Sequence, residues 1–136
     1  MLFTRRGTAL STGVKMKYIY IAGRYTGHTH DYRSYFEIHR HITDALEAAR
    51  QLAYLGYGFF CPHAHSAHFE CIAPEVKPTY WYELDNHFLE ACDALLMLPD
   101  WGKSKGAIAE RELAIKLGLP VFYDVQELVE KFPPEG

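Results

Sequence analysis

Four short apolar runs, each stopped by a glycine or proline or by a polar turn and each followed by a stretch of helical period, constrain this chain more than any other feature. Residues 18–22 are β-branched and aromatic and close on Gly23, which reads as a buried strand. A helix over residues 35–55 follows, with Ile42, Ala45, Leu46 and Ala49 at i, i+3, i+4, i+7 and Gly56 as its stop. Residues 57–61 form a second strand ended by Pro62, and residues 63–79 read as a loop. The pattern then repeats: a helix over 80–92, a strand over 94–98 before Pro99, a turn at 102–104, a helix over 105–117 ended by Gly118, a strand over 121–123 and a helix over 125–131. Alternation of this kind builds an α/β fold, a parallel sheet with helices on both faces. Right-handed crossovers favour a doubly wound sheet of four to five strands in the order 2-1-3-4(-5). Ligands of such sheets bind beyond the carboxyl ends of the strands, at the switch between strands 1 and 3. That rule selects residues 23–31, 62–79 and 99–106.

Composition narrows the class. The 136 residues are 49% apolar and 15% aromatic, with 14 Lys plus Arg against 17 Asp plus Glu, which excludes a disordered chain and argues against a nucleic-acid polymer as partner. No apolar run approaches the length of a membrane span. The start carries Arg5 and Arg6 without an apolar stretch after them, unlike a secretory signal. Cys61, Cys71 and Cys92 form no CxxC pair, which fits a reducing, cytoplasmic setting. Residues 1–15 are polar and without period and read as a disordered extension; a single domain is expected over 16–136.

Two carboxylates stand where the core should be. Asp85, Phe88, Leu89 and Cys92 share one helical spacing, and Glu110, Leu113, Ala114 and Leu117 share the same one. Either both acids lie on the edge of their stripe and reach water, or they line a shared cleft between helices that flank one strand. A pair of acids in a cleft is what glycosyl-bond chemistry needs: one attacks or stabilises the anomeric carbon, the other handles a proton.

The turn Asp100-Trp-Gly-Lys-Ser104-Lys-Gly106 runs straight into a helix. Ser104 is a candidate N-cap, and free backbone N–H groups with Lys103 and Lys105 beside them make an anion site, although a capped surface helix with solvated lysines has the same pattern. Glu110 lies six residues on, roughly 9 Å along the helix axis, about the span from a nucleotide 5′-phosphate across its sugar. The stretch lacks the full P-loop pattern.

These residues resemble a known family. Tyr20-Ile-Ala-Gly23 after the first strand, Asp85 eight residues before Asp93, and Ser104-Lys-Gly-Ala-Ile-Ala-Glu110 look like the nucleoside 2-deoxyribosyltransferase superfamily, nearest its 2′-deoxynucleoside 5′-phosphate N-hydrolases. The resemblance covers roughly residues 17–123. It implies that Glu110 is the nucleophile toward C1′, that Asp85 assists departure of the base, and that Tyr20 hydrogen-bonds near the nucleophile. It implies that Gly23 lets backbone approach the substrate. Ser104 falls where transferases carry an aspartate for the 5′-hydroxyl and phosphate hydrolases carry a serine for the 5′-phosphate. Gly106 belongs to the same substrate-binding turn. Arg24 and Tyr25 depart from the small residues of the family, and Arg24 adds a candidate phosphate contact.

Eight histidines invite a metal reading, above all Cys61-Pro-His63-Ala-His65-Ser-Ala-His68. The spacing matches no standard ligand pattern. In this fold the segment overhangs the cleft, which makes His63 a candidate base contact, with a solvated loop as the plain alternative. His28, His30, His39 and His41 read as surface residues. Trp81 and Tyr82 are candidates to wall a base pocket, with core packing as the other reading. Trp101 reads as a lid or subunit contact.

The function expected is hydrolysis of the N-glycosidic bond of a 2′-deoxynucleoside 5′-monophosphate, with no cofactor and no metal. Base exchange by a deoxyribosyltransferase and a non-catalytic nucleotide sensor are the alternatives. The expected partners are a small-molecule nucleotide or nucleoside and a second copy of the chain, as a homodimer or dimer of dimers formed through the helix at 80–92.

Overall fold

The computed structural model describes residues 15–25 and 32–134, with side chains described over 15–25 and 35–134. The extension expected over residues 1–15 lies, apart from Lys15, outside the described residues, as do His28 and His30.

The chain forms β1 (Tyr18–Ala22), α1 (Tyr32–Leu55), β2 (Gly58–Phe60), α2 (Pro62–His65), α3 (Phe69–Ile72), α4 (Pro78–Ala91), β3 (Ala94–Met97), a 3-10 turn (Trp101–Lys103), α5 (Lys105–Lys116), β4 (Val121–Phe122) and α6 (Val125–Lys131). The four strands are parallel in the order β2-β1-β3-β4, as the alternation requires, and no fifth strand joins them among the described residues. Residues 63–79 are not one loop. Pro62 at the first helical position starts α2, and α3 follows within four residues; each has four residues, too few to show a helical period.

Helix ends follow local chemistry. Gly56 and Gly118 sit at φ +96° and +79°, the left-handed conformation glycine adopts without strain. The amides beyond them reach back to Leu52 and Ala114 at 3.0 and 2.9 Å, closing α1 and α5 with Schellman turns. Asp124 caps α6 through the Glu127 amide at 2.7 Å.

The pleat of β1 divides the core. Ile19 and Ile21 point to the face covered by α1 and α6, against Ala45, Ala49, Leu52 and Leu128. Tyr20 and Ala22 point to the face covered by α4 and α5, against Leu89, Ala107 and Ala114. Two residues of the expected stripes turn outward. Leu46 is 47% exposed because the buried line of α1 runs through Ile38, Ile42, Ala45, Ala49 and Leu52, and Leu117 is 44% exposed because α5 has already ended at Lys116. No helix among the described residues is long and apolar enough to cross a membrane.

Candidate active site

Alternation along β1 puts Tyr20 on the α4/α5 face, where it is wholly buried. A buried phenol needs a partner for its hydroxyl. The Tyr20 hydroxyl donates to Oε2 of Glu110, on the second turn of α5, at 2.5 Å. Asp85 projects from α4 toward the same place, close enough to act electrostatically on both Tyr20 and Glu110. Its Oδ1 is buried without a hydrogen-bond partner, a costly state for a carboxylate unless a substrate group or a proton completes it. The two acids therefore converge beside Tyr20, and both are partly buried and not fully solvated.

Burial sets their ionisation. It pushes Glu110 up to about 8; the Tyr20 hydrogen bond opposes this and the Asp85 charge adds to it. It pushes Asp85 up to about 6, with His65 opposing. Burial, then Glu110 and Asp85, raise the Tyr20 phenol far above its ordinary value, so it stays a donor. Two carboxylates this close titrate as a pair, and near neutral pH the pair holds one proton. Tyr20 donates to Glu110 alone, a stabilisation of the carboxylate that Asp85 lacks, and burial outweighs it at Glu110. Such a pair can offer one carboxylate and one carboxylic acid at the same pH.

An aromatic wall stands beside them. Phe60 from β2 and Phe88 from α4 stack at 4.4 Å, Tyr20 lies 5.7 Å from Phe60, and the His65 ring leans on both phenylalanines at 5.3 and 5.8 Å. The sequence reading placed Phe88 on the apolar stripe of its helix and did not name Phe60.

Ser104 caps α5: its Oγ accepts from the Ala107 amide at 3.1 Å and its carbonyl accepts from Ile108. The amides of Lys105 and Gly106 are left without intrahelical partners, a little over one turn before Glu110. At Gly106 a β-carbon would sit 3.8 Å from the Tyr82 ring and 3.9 Å from the Ser104 hydroxyl, so a methyl group fits there.

The remaining candidates make other contacts. Gly23 is packed by Leu98, whose side chain comes within 2.8 Å of where a β-carbon would be. His63 is buried, with Nε2 2.6 Å from the Arg24 carbonyl and Nδ1 unpartnered. The Tyr25 hydroxyl donates to Glu70 at 2.8 Å and accepts from the His68 amide at 2.6 Å, tying the segment after β1 to α3. His41, expected at the surface, is half-buried because its Nδ1 meets the Tyr25 carbonyl at 3.1 Å. His39 is exposed and stacks with Tyr35 and His68. Trp81 packs edge-on against Phe69 and Tyr80. Trp101 is half-buried under the Arg111 guanidinium, which also bonds the Tyr123 hydroxyl. The Arg24 side chain lines a cavity of about 560 Å³ on the opposite face, between α1 and the start of α6, which contains none of Tyr20, Asp85 or Glu110. That cavity is rimmed by charges of both signs, among them Arg24, Arg40, Glu37 and Asp44. Among the described residues no group of three His, Cys, Asp or Glu side chains has the geometry to hold a metal ion.

Comparison with known proteins locates the fold. A family model described as "Domain of unknown function (DUF4406)" matches residues 17–123. Among solved structures, a 2-deoxyribosyltransferase from the psychrotolerant bacterium Bacillus psychrosaccharolyticus superposes with a TM-score of 0.51 at 22% identity, over 76% of this chain and 69% of that one. A comparison with curated proteins finds no match.

Proposed function

The chain belongs to the DUF4406 family, and from that premise we propose that it cleaves the N-glycosidic bond of a 2′-deoxynucleoside 5′-monophosphate, releasing the base and 2-deoxyribose 5-phosphate. The observation that carries this reading is the Tyr20–Glu110 hydrogen bond at 2.5 Å with the unpartnered Asp85 carboxyl beside it. Glu110 attacks C1′ as the C–N bond breaks, forming a glycosyl ester, and Asp85 gives its proton to the departing base. Water then attacks C1′ of the ester, Asp85 takes the water's proton, and Glu110 leaves as carboxylate. Both side chains return to their starting states, so no cofactor is consumed.

The monophosphate is favoured by Ser104. A hydroxyl and two free amides at a helix N-terminus attract phosphate, whereas a carboxylate in that position repels it. The aromatic wall suits a base, whose flat face stacks without regard to sequence. The enzyme acts on small molecules and pairs with a second copy through α4.

Base exchange is the second reading, supported by the fold shared with a 2-deoxyribosyltransferase. There a second base, not water, attacks the ester. Incubation of the protein with deoxynucleoside monophosphates, with and without a different free base, separates the two. Free sugar phosphate without acceptor marks the hydrolase; a swapped base marks the transferase. An intact substrate after long incubation defeats both and leaves a binding domain.

A further inference from the structure

We propose that His65 is a positioning residue for Asp85: it sets the charge of that carboxyl and with it the pH range in which an acid stands ready for the departing base. The inference rests on the reading of Asp85 given above and extends it to a residue outside the reacting pair. Its basis is placement. Pro62 starts α2 one residue after β2 ends, and about half a turn separates the buried His63, held by the Arg24 carbonyl, from the exposed His65. The His65 ring is fixed by Phe60 and Phe88 at 5.3 and 5.8 Å, and Phe88 lies one turn beyond Asp85 on the same side of α4.

Asp85 is faced by Tyr20 from β1, Glu110 from α5 and His65 from α2. Tyr20 is a neutral donor committed to Glu110, and Glu110 is a second acid, so of these three His65 is the group that can bring a positive charge. His87, on α4 itself, touches the Phe88 ring at 5.4 Å. A proton on His65 favours ionised Asp85; a neutral ring leaves Asp85 its proton.

The test is a pair of substitutions with opposite signs. His65→Phe keeps the ring contacts and removes the charge; His65→Arg makes the charge permanent. Carboxyl-carbon NMR titration of Asp85, identified by its loss in Asp85→Asn, should show its midpoint rise by roughly half a unit or more in the first variant and fall in the second. The limb of the base-release profile that reports Asp85 should move with it. Midpoints that stay put, or move together in both variants as a packing role would require, overturn the proposal. Because the NMR titration needs no turnover, a wild-type protein that releases no base overturns the reading of the function while opposite shifts at Asp85 still uphold the role of His65.

Discussion

Tyr20 joins the backbone to the chemistry. It is one of two buried β1 side chains on the α4/α5 face, and its hydroxyl ends on Glu110. Tyr20→Phe keeps the packing and removes the donor, so base release should fall by about 10- to 100-fold with little loss of stability. Glu110→Gln removes the attacking charge, and base release should fall by about three orders of magnitude or more while substrate binding survives, read by steady-state kinetics and calorimetry. The reaction needs one proton on the pair. Below about 6 both acids are protonated and the nucleophile is lost; above about 8 both are ionised and the acid is lost. The rate should therefore follow a bell between those limbs, and a profile flat from pH 5 to 9 contradicts the assignment. The same shifts fix a sign for stability. A carboxyl raised on folding binds its proton more tightly in the native state, so its ionisation costs stability as pH rises from the unfolded value through the folded one. For Glu110 that window runs from 4.5 to about 8. Glu110→Gln should accordingly leave stability unchanged near pH 4 and raise it by about 1–2 kcal/mol at pH 8, measured by urea unfolding. An inactive variant that is more stable is the signature of a reactive group held at a cost.

At the scale of elements, α5 carries two jobs from one N-terminus. Ser104 caps the helix, and the same end offers the amides proposed for phosphate. The jobs separate by substitution. Ser104→Ala loses the cap and should cost about 1 kcal/mol. Ser104→Asp keeps a good cap and should hold stability, yet its carboxylate should raise KM for monophosphates far more than for the matching nucleosides. Equal KM changes for both substrates would place the phosphate elsewhere. Elements were legible where local chemistry rules: the strands by their β-branched runs, α1 and α5 by their glycine stops, and the two acids by falling on apolar stripes. The short helices α2 and α3 were not, since four residues leave no period to read. The outward turn of Leu46 was not either, because alanines at 45, 48 and 49 and Leu52 satisfy the sheet without it. The Phe60–Phe88 stack joins residues 28 apart and exists only once the sheet is formed.

In the whole molecule the sheet separates the face that carries Tyr20, Asp85 and Glu110 from the face packed by α1 and α6, and α4 borders the first of these. One side of α4 supplies Asp85, Phe88 and Leu89, while Tyr80 and Tyr82 near its start are 51% and 54% exposed. Exposed aromatics in a group favour a protein contact, and the commonest closed assembly is a two-fold dimer. The expected outcome is a particle of twice the 15.6 kDa chain mass by light scattering at micromolar concentration. Trp81 is the wrong residue to truncate, because its ring packs on Phe69 and its loss would damage α3. Tyr80→Ser is the sharper test: it should weaken the dimer while circular dichroism stays native. Tyr82 packs near Gly106 at the phosphate end of α5, so a subunit lying on these rings also shields that end of the cleft. Dissociation should then raise KM for the monophosphate before it lowers kcat, and activity per chain should fall on dilution. A monomer with full activity at all concentrations would show that the cleft is complete within one chain.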